Sequence, residues 1–185
     1  VRVVTSLRVY WDHARVGRRA AIPGAPVRIE PSTADLRERG FSAEVTPDGR
    51  EPFGYDYDTV SPGSPWKQLP GRYTREGDVR ELLRGVDDRF VIARAGDQIA
   101  LSFDAASLPP LPDGWTRTFL LYADGFSKEM DLHSSSPDAL DRVRFHGMTG
   151  YRFAVWDRPP LTADQAADVD RYHTRIGAPP LPPLE

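Results

Sequence analysis

Carboxylates set beside aromatic rings are the residues of this chain whose types and spacing can do chemistry. Asp124, Glu129 and Asp131 surround one Asp-Gly turn, and Tyr55-Asp56-Tyr57-Asp58 alternates rings with carboxylates inside a stretch rich in Pro and Gly. Calcium takes six or more hard oxygen ligands, which makes Asp124, Glu129 and Asp131, or else Tyr55-Asp56-Tyr57-Asp58, a candidate calcium site. Neither group has the spacing of an EF-hand loop, and an Asp-Gly turn with solvated charges is the favoured plain alternative. Asp87-Asp88 is a further carboxylate pair of the kind that shares acid–base work. Adjacent residues on a strand point to opposite faces, which separates them.

The second chemistry is stacking. Trp66 lies in the same proline-rich stretch as Tyr55 and Tyr57, where an exposed ring would suit a sugar or a peptide; burial in the core is the favoured plain alternative, since aromatics mostly bury. Tyr55, Tyr57 and Trp66 are therefore the candidate ligand-binding set. Trp11 and Trp115, at strand ends, are assigned to the core together with Phe103.

Other chemistries find less support. His13, His133, His146 and His173 are far apart, with no i,i+4 pair to hold a metal. The nearest Ser/Gly cluster, Pro62-Gly63-Ser64-Pro65, is loop punctuation rather than a nucleophile elbow. Neither glycine-rich phosphate fingerprint is present. The chain contains no Cys, which excludes disulfides, thiolate metal sites and cysteine nucleophiles.

The elements that would position these residues read mainly as strands. Val3–Trp11 alternates apolar and polar residues, Val27–Ile29 is a short strand candidate, and Ala34–Phe41 is taken as strand. Residues 45 to 73 read as a long loop, which is often functional. Asp78 caps a short helix over Val79–Arg84, closed by Gly85. Arg89–Arg94 and Gln98–Asp104 read as a hairpin across Ala95-Gly96-Asp97. Trp115–Ala123 is the next strand, and Val143–Phe145 and Tyr151–Val155 are short ones. Thr162 caps a C-terminal helix near 163–174, with Val169 and Tyr172 facing inward. Arg37, Arg39, Arg75, Arg89, Arg117, Asp35, Asp78 and Asp104 recur beside apolar positions, as ion pairs that pin loops to sheet faces.

Composition sets the outer bounds. The chain has 185 residues, 39 % hydrophobic and 28 % charged, with a net charge of −3. That is enough for one well-buried domain. The basic residues are dispersed, so the stripe expected of a nucleic-acid binder is missing. No apolar run approaches 18 residues, so no membrane span is expected. The opening VRVVTSLRVYWDH looks like strand sequence, as if the chain were a piece of a longer protein.

A set of short motifs in fixed order resembles a known family. It includes Tyr10-Trp11-Asp12, Ala34-Asp35-Leu36-Arg37, Tyr73-Thr74-Arg75 and Gly77-Asp78-Val79. It continues through Asp87-Asp88-Arg89-Phe90, Leu108-Pro109-Pro110-Leu111-Pro112 and Gly114-Trp115. It ends with Asp124-Gly125-Phe126, Phe145-His146-Gly147-Met148 and Tyr172-His173-Thr174-Arg175. Together they are similar to a C-terminal accessory domain of bacterial FG-GAP/VCBS-repeat proteins, which often carry an ASPIC/UnbV segment. The sequence departs from that pattern at Arg144 and at Tyr151-Arg152-Phe153, where prolines are expected.

The resemblance implies an accessory module packed after a repeat or propeller domain of the same polypeptide, in an extracellular, periplasmic or cell-surface setting. It carries no assigned chemistry. The expectation is thus a mainly β domain, an antiparallel sandwich of jelly-roll type over 1–185, with 134–185 as an extension packing on it. Its expected role is non-catalytic docking or adhesion, without an obligatory cofactor. A carbohydrate-binding sandwich and a metal- or carboxylate-dependent hydrolase are the alternatives.

Overall fold

The computed structural model describes residues 17, 26–50, 54–63, 68–128, 139–140 and 160–177. Its strands are β1 (Thr33–Glu38), β2 (Phe41–Val45), β3 (Gly54–Ser61), β4 (Arg72–Tyr73), β5 (Gly77–Asp78), β6 (Asp97–Ser102) and β7 (Arg175–Ile176). Among the described residues the single α-helix is α1 (Ala163–Tyr172). The strands form three small antiparallel sheets, ordered β5-β1-β6, β2-β3 and β4-β7.

β1 is the centre of the fold. Its period of two buries Ala34 and Leu36 and leaves Asp35 and Arg37 outside. Leu36 stands directly across from Ile99 of β6, so both side chains lie on the core face. Val79, Leu82 and Tyr172 complete the core, with Leu83, Val91 and Ile99 packed at its margin. On the outer face Arg37 donates to the Gln98 Oε1 across the same strand pair.

The helix forms where local chemistry demands it. The Thr162 hydroxyl accepts from the Gln165 N–H, and the Gln165 side chain accepts from the Thr162 N–H, a complete capping box. One ring, Tyr172, carries the helix into the core. β7 follows at once and pairs with β4, so the last turn and the last strand are anchored together. Gly177 is required there, since a Cβ would stand 2.6 Å from the Tyr73 ring.

Several sequence expectations change. The strand expected over Ala34–Phe41 is broken at Gly40, whose φ is +103° and whose Cβ would lie 2.6 Å from the Ser61 carbonyl. The chain turns there into β2. The loop expected over 45–73 contains β3, because Tyr55, Tyr57, Thr59 and Val60 are good strand formers once β2 lies alongside. Val79–Arg84 is a single 3-10 turn over Arg80–Leu83, and Asp78 accepts the Arg80 N–H at its start.

The hairpin expected around residues 95–97 keeps its turn but not its pairing. The Asp97 N–H donates to the Arg94 carbonyl, yet β6 pairs with β1. Residues 89–94 instead run beside Thr74, which bonds to Ile92 through both backbone and side chain. Val27–Ile29 and Trp115–Ala123 form no ladder among the described residues. Trp115 and Phe103 are exposed rather than core. Trp11 and the strands expected over Val3–Trp11, Val143–Phe145 and Tyr151–Val155 lie outside the described residues.

Leu36 is fully buried at the middle of the only three-stranded sheet among the described residues. Leu36→Ala should lower unfolding free energy by roughly 2–5 kcal/mol, read as a reduced urea midpoint with an unchanged slope.

Candidate functional site

The ligand-binding set is divided by the structure. Tyr55 and Tyr57 both lie on β3 and are exposed, by 51 % and 70 %. Trp66 lies outside the described residues. β2 and β3 form a two-stranded arm that contacts chiefly itself. Pairing runs Phe41↔Ser61 and Ser42↔Val60, then shifts to Ala43↔Asp56, so Tyr57–Thr59 bulge out of the ladder. Asp56 holds this bulge by accepting from the Asp58 N–H at 2.9 Å and the Thr59 hydroxyl at 2.7 Å. Those two bonds, the Thr59 hydroxyl first, hold the Asp56 carboxyl below its ordinary range. Arg39 donates to the Ser42 hydroxyl and the Tyr57 carbonyl, tying the bulge to the base of the arm.

Of the candidate calcium ligands, Asp124 is exposed and accepts from the Tyr122 hydroxyl at 3.4 Å. Glu129 and Asp131 lie outside the described residues. Among the described residues no three His, Asp or Glu side chains converge to hold a metal. His13, His133 and His146 also lie outside the described residues. No helix among the described residues is long and apolar enough to cross a membrane.

His173 is buried against Thr74. The Thr74 hydroxyl accepts from the Ile92 N–H at 2.7 Å and lies 3.1 Å from His173 Nδ1. A hydroxyl both donates and accepts, so the bond to Nδ1 forms with either imidazole tautomer. Burial pushes the His173 pKa down, against a smaller opposing pull from Asp168. A hydroxyl at this distance from an imidazole resembles a nucleophile and its base. Thr74, however, is fully buried and committed to Ile92, so no substrate reaches it.

The ion pairs join different partners from those expected. Arg89 pairs with Glu81 and Asp168, linking the 3-10 turn to α1. Tyr172 donates its hydroxyl to Glu81. That bond, followed by the one from Arg89, holds the Glu81 carboxyl below its ordinary range. Arg75 lies over the Tyr172 ring, 5.5 Å from its centroid. Arg117 donates to the Pro109 carbonyl, and Asp104 accepts the Ala106 N–H.

The strongest cluster centres on Asp97, a residue the sequence presents only as part of a turn. Its side chain is wholly buried. Arg175 grips it with both terminal nitrogens, one at 2.9 Å from Oδ1. The Arg94 N–H donates to Oδ2 at 2.8 Å, and the Arg94 guanidinium reaches on to Glu38. The paired spacing of Arg94, Asp97 and Arg175 has no local signature, since Arg175 lies 78 residues from Asp97 in sequence.

Beside this cluster lies a cleft of about 430 Å³, walled by Leu69, Tyr73, Phe126 and Leu140 and edged by Arg94 and Lys128. Phe126 is held there by an edge-on contact with Phe90, with ring centroids 5.9 Å apart.

Removing the buried carboxylate leaves Arg175 without its fork partner. Asp97→Ala should cost roughly 3–5 kcal/mol of unfolding free energy, measured by urea denaturation. A second expectation concerns pH. The His173 pKa is lower folded than its unfolded value of about 6.5. The neutral ring therefore contributes stability in full above about pH 6.5, and that contribution is lost as pH falls through the folded value. His173→Asn, whose amide can accept from or donate to the Thr74 hydroxyl but does not titrate, should flatten this part of the stability–pH curve. An unchanged slope would remove His173 from the account.

Comparison with family models, with curated proteins and with solved structures finds no match to this chain.

Proposed function

We propose that this chain is a non-catalytic accessory module that docks on a repeat or propeller domain of the same polypeptide. One observation carries the reading. From Trp115 to Phe126 the chain presents Trp115, Phe119, Leu120, Leu121, Tyr122 and Phe126 to solvent, with Leu120 85 % exposed. Apolar patches of this kind on soluble proteins mark surfaces that another body covers. The family resemblance supplies the context: an exported or cell-surface bacterial protein, with the small sheets organised as a sandwich of jelly-roll type. The polar clusters are spent on internal pairing, which supports a structural role for them.

A second reading is carbohydrate binding, favoured by the exposure of both Tyr55 and Tyr57. A glycan array tests it directly.

The docking reading is tested with the Phe119→Ser, Leu121→Ser double variant. The wild-type chain should bind a hydrophobic dye and self-associate in sedimentation. The variant should lose both with its urea midpoint unchanged. A midpoint that falls instead would mean that the run belongs to the chain's own core. Turnover on a substrate panel, abolished by changing one residue of the cleft, would overturn the non-catalytic role.

A further inference from the structure

The β2–β3 arm carries a surface distinct from the apolar run. Residues 41–61 hold five carboxylates, Glu44, Asp48, Glu51, Asp56 and Asp58, against one base, Arg50. The arm is thus net −4 in a chain of net −3, and the remainder of the chain is +1. On the ladder Glu44 is the direct partner of Tyr55, so the carboxylate and the ring stand side by side on one face. Both are exposed. Tyr57 follows in the bulge, which Asp56 and Arg39 hold in place. Asp56 is consumed by that task. The Glu44 and Asp58 carboxylates enter no ion pair among the described residues.

An exposed ring beside an uncommitted carboxylate suits one kind of group. A Lys or Arg side chain is attracted to the ring face and to the carboxylate at once. A neutral sugar would use the rings but gain nothing from the charge. An anionic partner would be repelled by the net −4 of the arm. Among the described residues this two-stranded sheet pairs with no third strand, and Val45 and Val60 also remain exposed. The arm therefore offers apolar contact area around a cation-binding centre.

We infer that the Glu44–Tyr55 face of the arm, with Tyr57 and Asp58 beside it, is a docking surface for a basic protein segment that presents Lys or Arg side chains. The inference rests on the reading of the chain as an interaction module. It assigns the arm to a cationic protein partner, and leaves the apolar run at 115–126 to the neighbouring domain.

The test titrates the full chain with a soluble peptide of alternating Lys and Gly, and with its Glu-Gly counterpart, followed by NMR shifts and by affinity. The Lys-Gly peptide should bind, weaken as salt rises, and shift the Tyr55 and Tyr57 ring signals; the Glu-Gly peptide should do neither. Tyr55→Ala, which leaves every charge in place, should weaken binding about two- to fivefold. Glu44→Gln should weaken it by a similar factor. The Tyr55 ring is exposed, so both variants should keep the wild-type urea midpoint.

Binding that follows net charge but ignores Tyr55→Ala would overturn the inference, since it would describe general attraction without a site. Tighter binding of a neutral glycan than of the basic peptide would also overturn it, and would return the arm to carbohydrate recognition. Either failure leaves the dye-binding result for Phe119→Ser, Leu121→Ser untouched, so loss of this site and loss of the module reading are told apart.

Discussion

The buried Asp97 carboxylate is the constraint on which the rest of the structure depends. A charge removed from water is costly unless it is paired and fully hydrogen-bonded. Asp97 satisfies this with the Arg175 fork and the Arg94 N–H. Each of those partners belongs to a different part of the chain. Arg94 closes the turn that starts β6, and Arg175 opens β7. Burial disfavours the Arg175 charge, and the Asp97 bond and charge outweigh it, so its pKa stands above the ordinary value. The C-terminal strand is thereby fastened to the start of the central sheet.

A second fastening runs parallel to the first. Tyr172 fills the core and donates to Glu81, while Arg89 bridges Glu81 and Asp168. His173, bonded to Thr74, lies in sequence between Tyr172 of one cluster and Arg175 of the other. The result is a compact seam in which α1 and β7 are locked to β1, β4 and the 3-10 turn. Among the described residues the apolar core centres on Ala34, Leu36, Val79, Leu82 and Tyr172. Polar pairing takes a large share in specifying how the pieces meet.

Two exposed stretches lie outside this seam. The β2–β3 arm is joined at Gly40 and steadied by Arg39, but Tyr55, Tyr57, Glu44, Asp48 and Asp58 face water. The run at 115–126 shows the opposite character, apolar and nearly uncharged. Two surfaces of different chemistry on one small chain are consistent with a module that connects two bodies.

Some of this was legible in the sequence. Thr162 with Gln165 specifies the start of α1, because a capping box is satisfied by neighbours in sequence. Alternation along Ala34–Leu36 and Gln98–Leu101 marks strands, because side-chain direction has a period of two. The mainly β class was readable for the same local reasons. Partner choice was not: β6 pairs with β1 rather than with residues 89–94, and Trp115–Ala123, a good strand by pattern, has no ladder among the described residues. Nor did anything near Gly96 mark Asp97 as the buried anchor. The sequence by itself determined the local propensities, the caps, the turns and the absence of cysteine chemistry, since these depend on residues a few positions apart. Only the tertiary structure decided which strands meet, which ring is buried and which carboxylate is gripped by Arg175. Those outcomes depend on desolvation and charge pairing between residues tens of positions apart, and no local pattern encodes them.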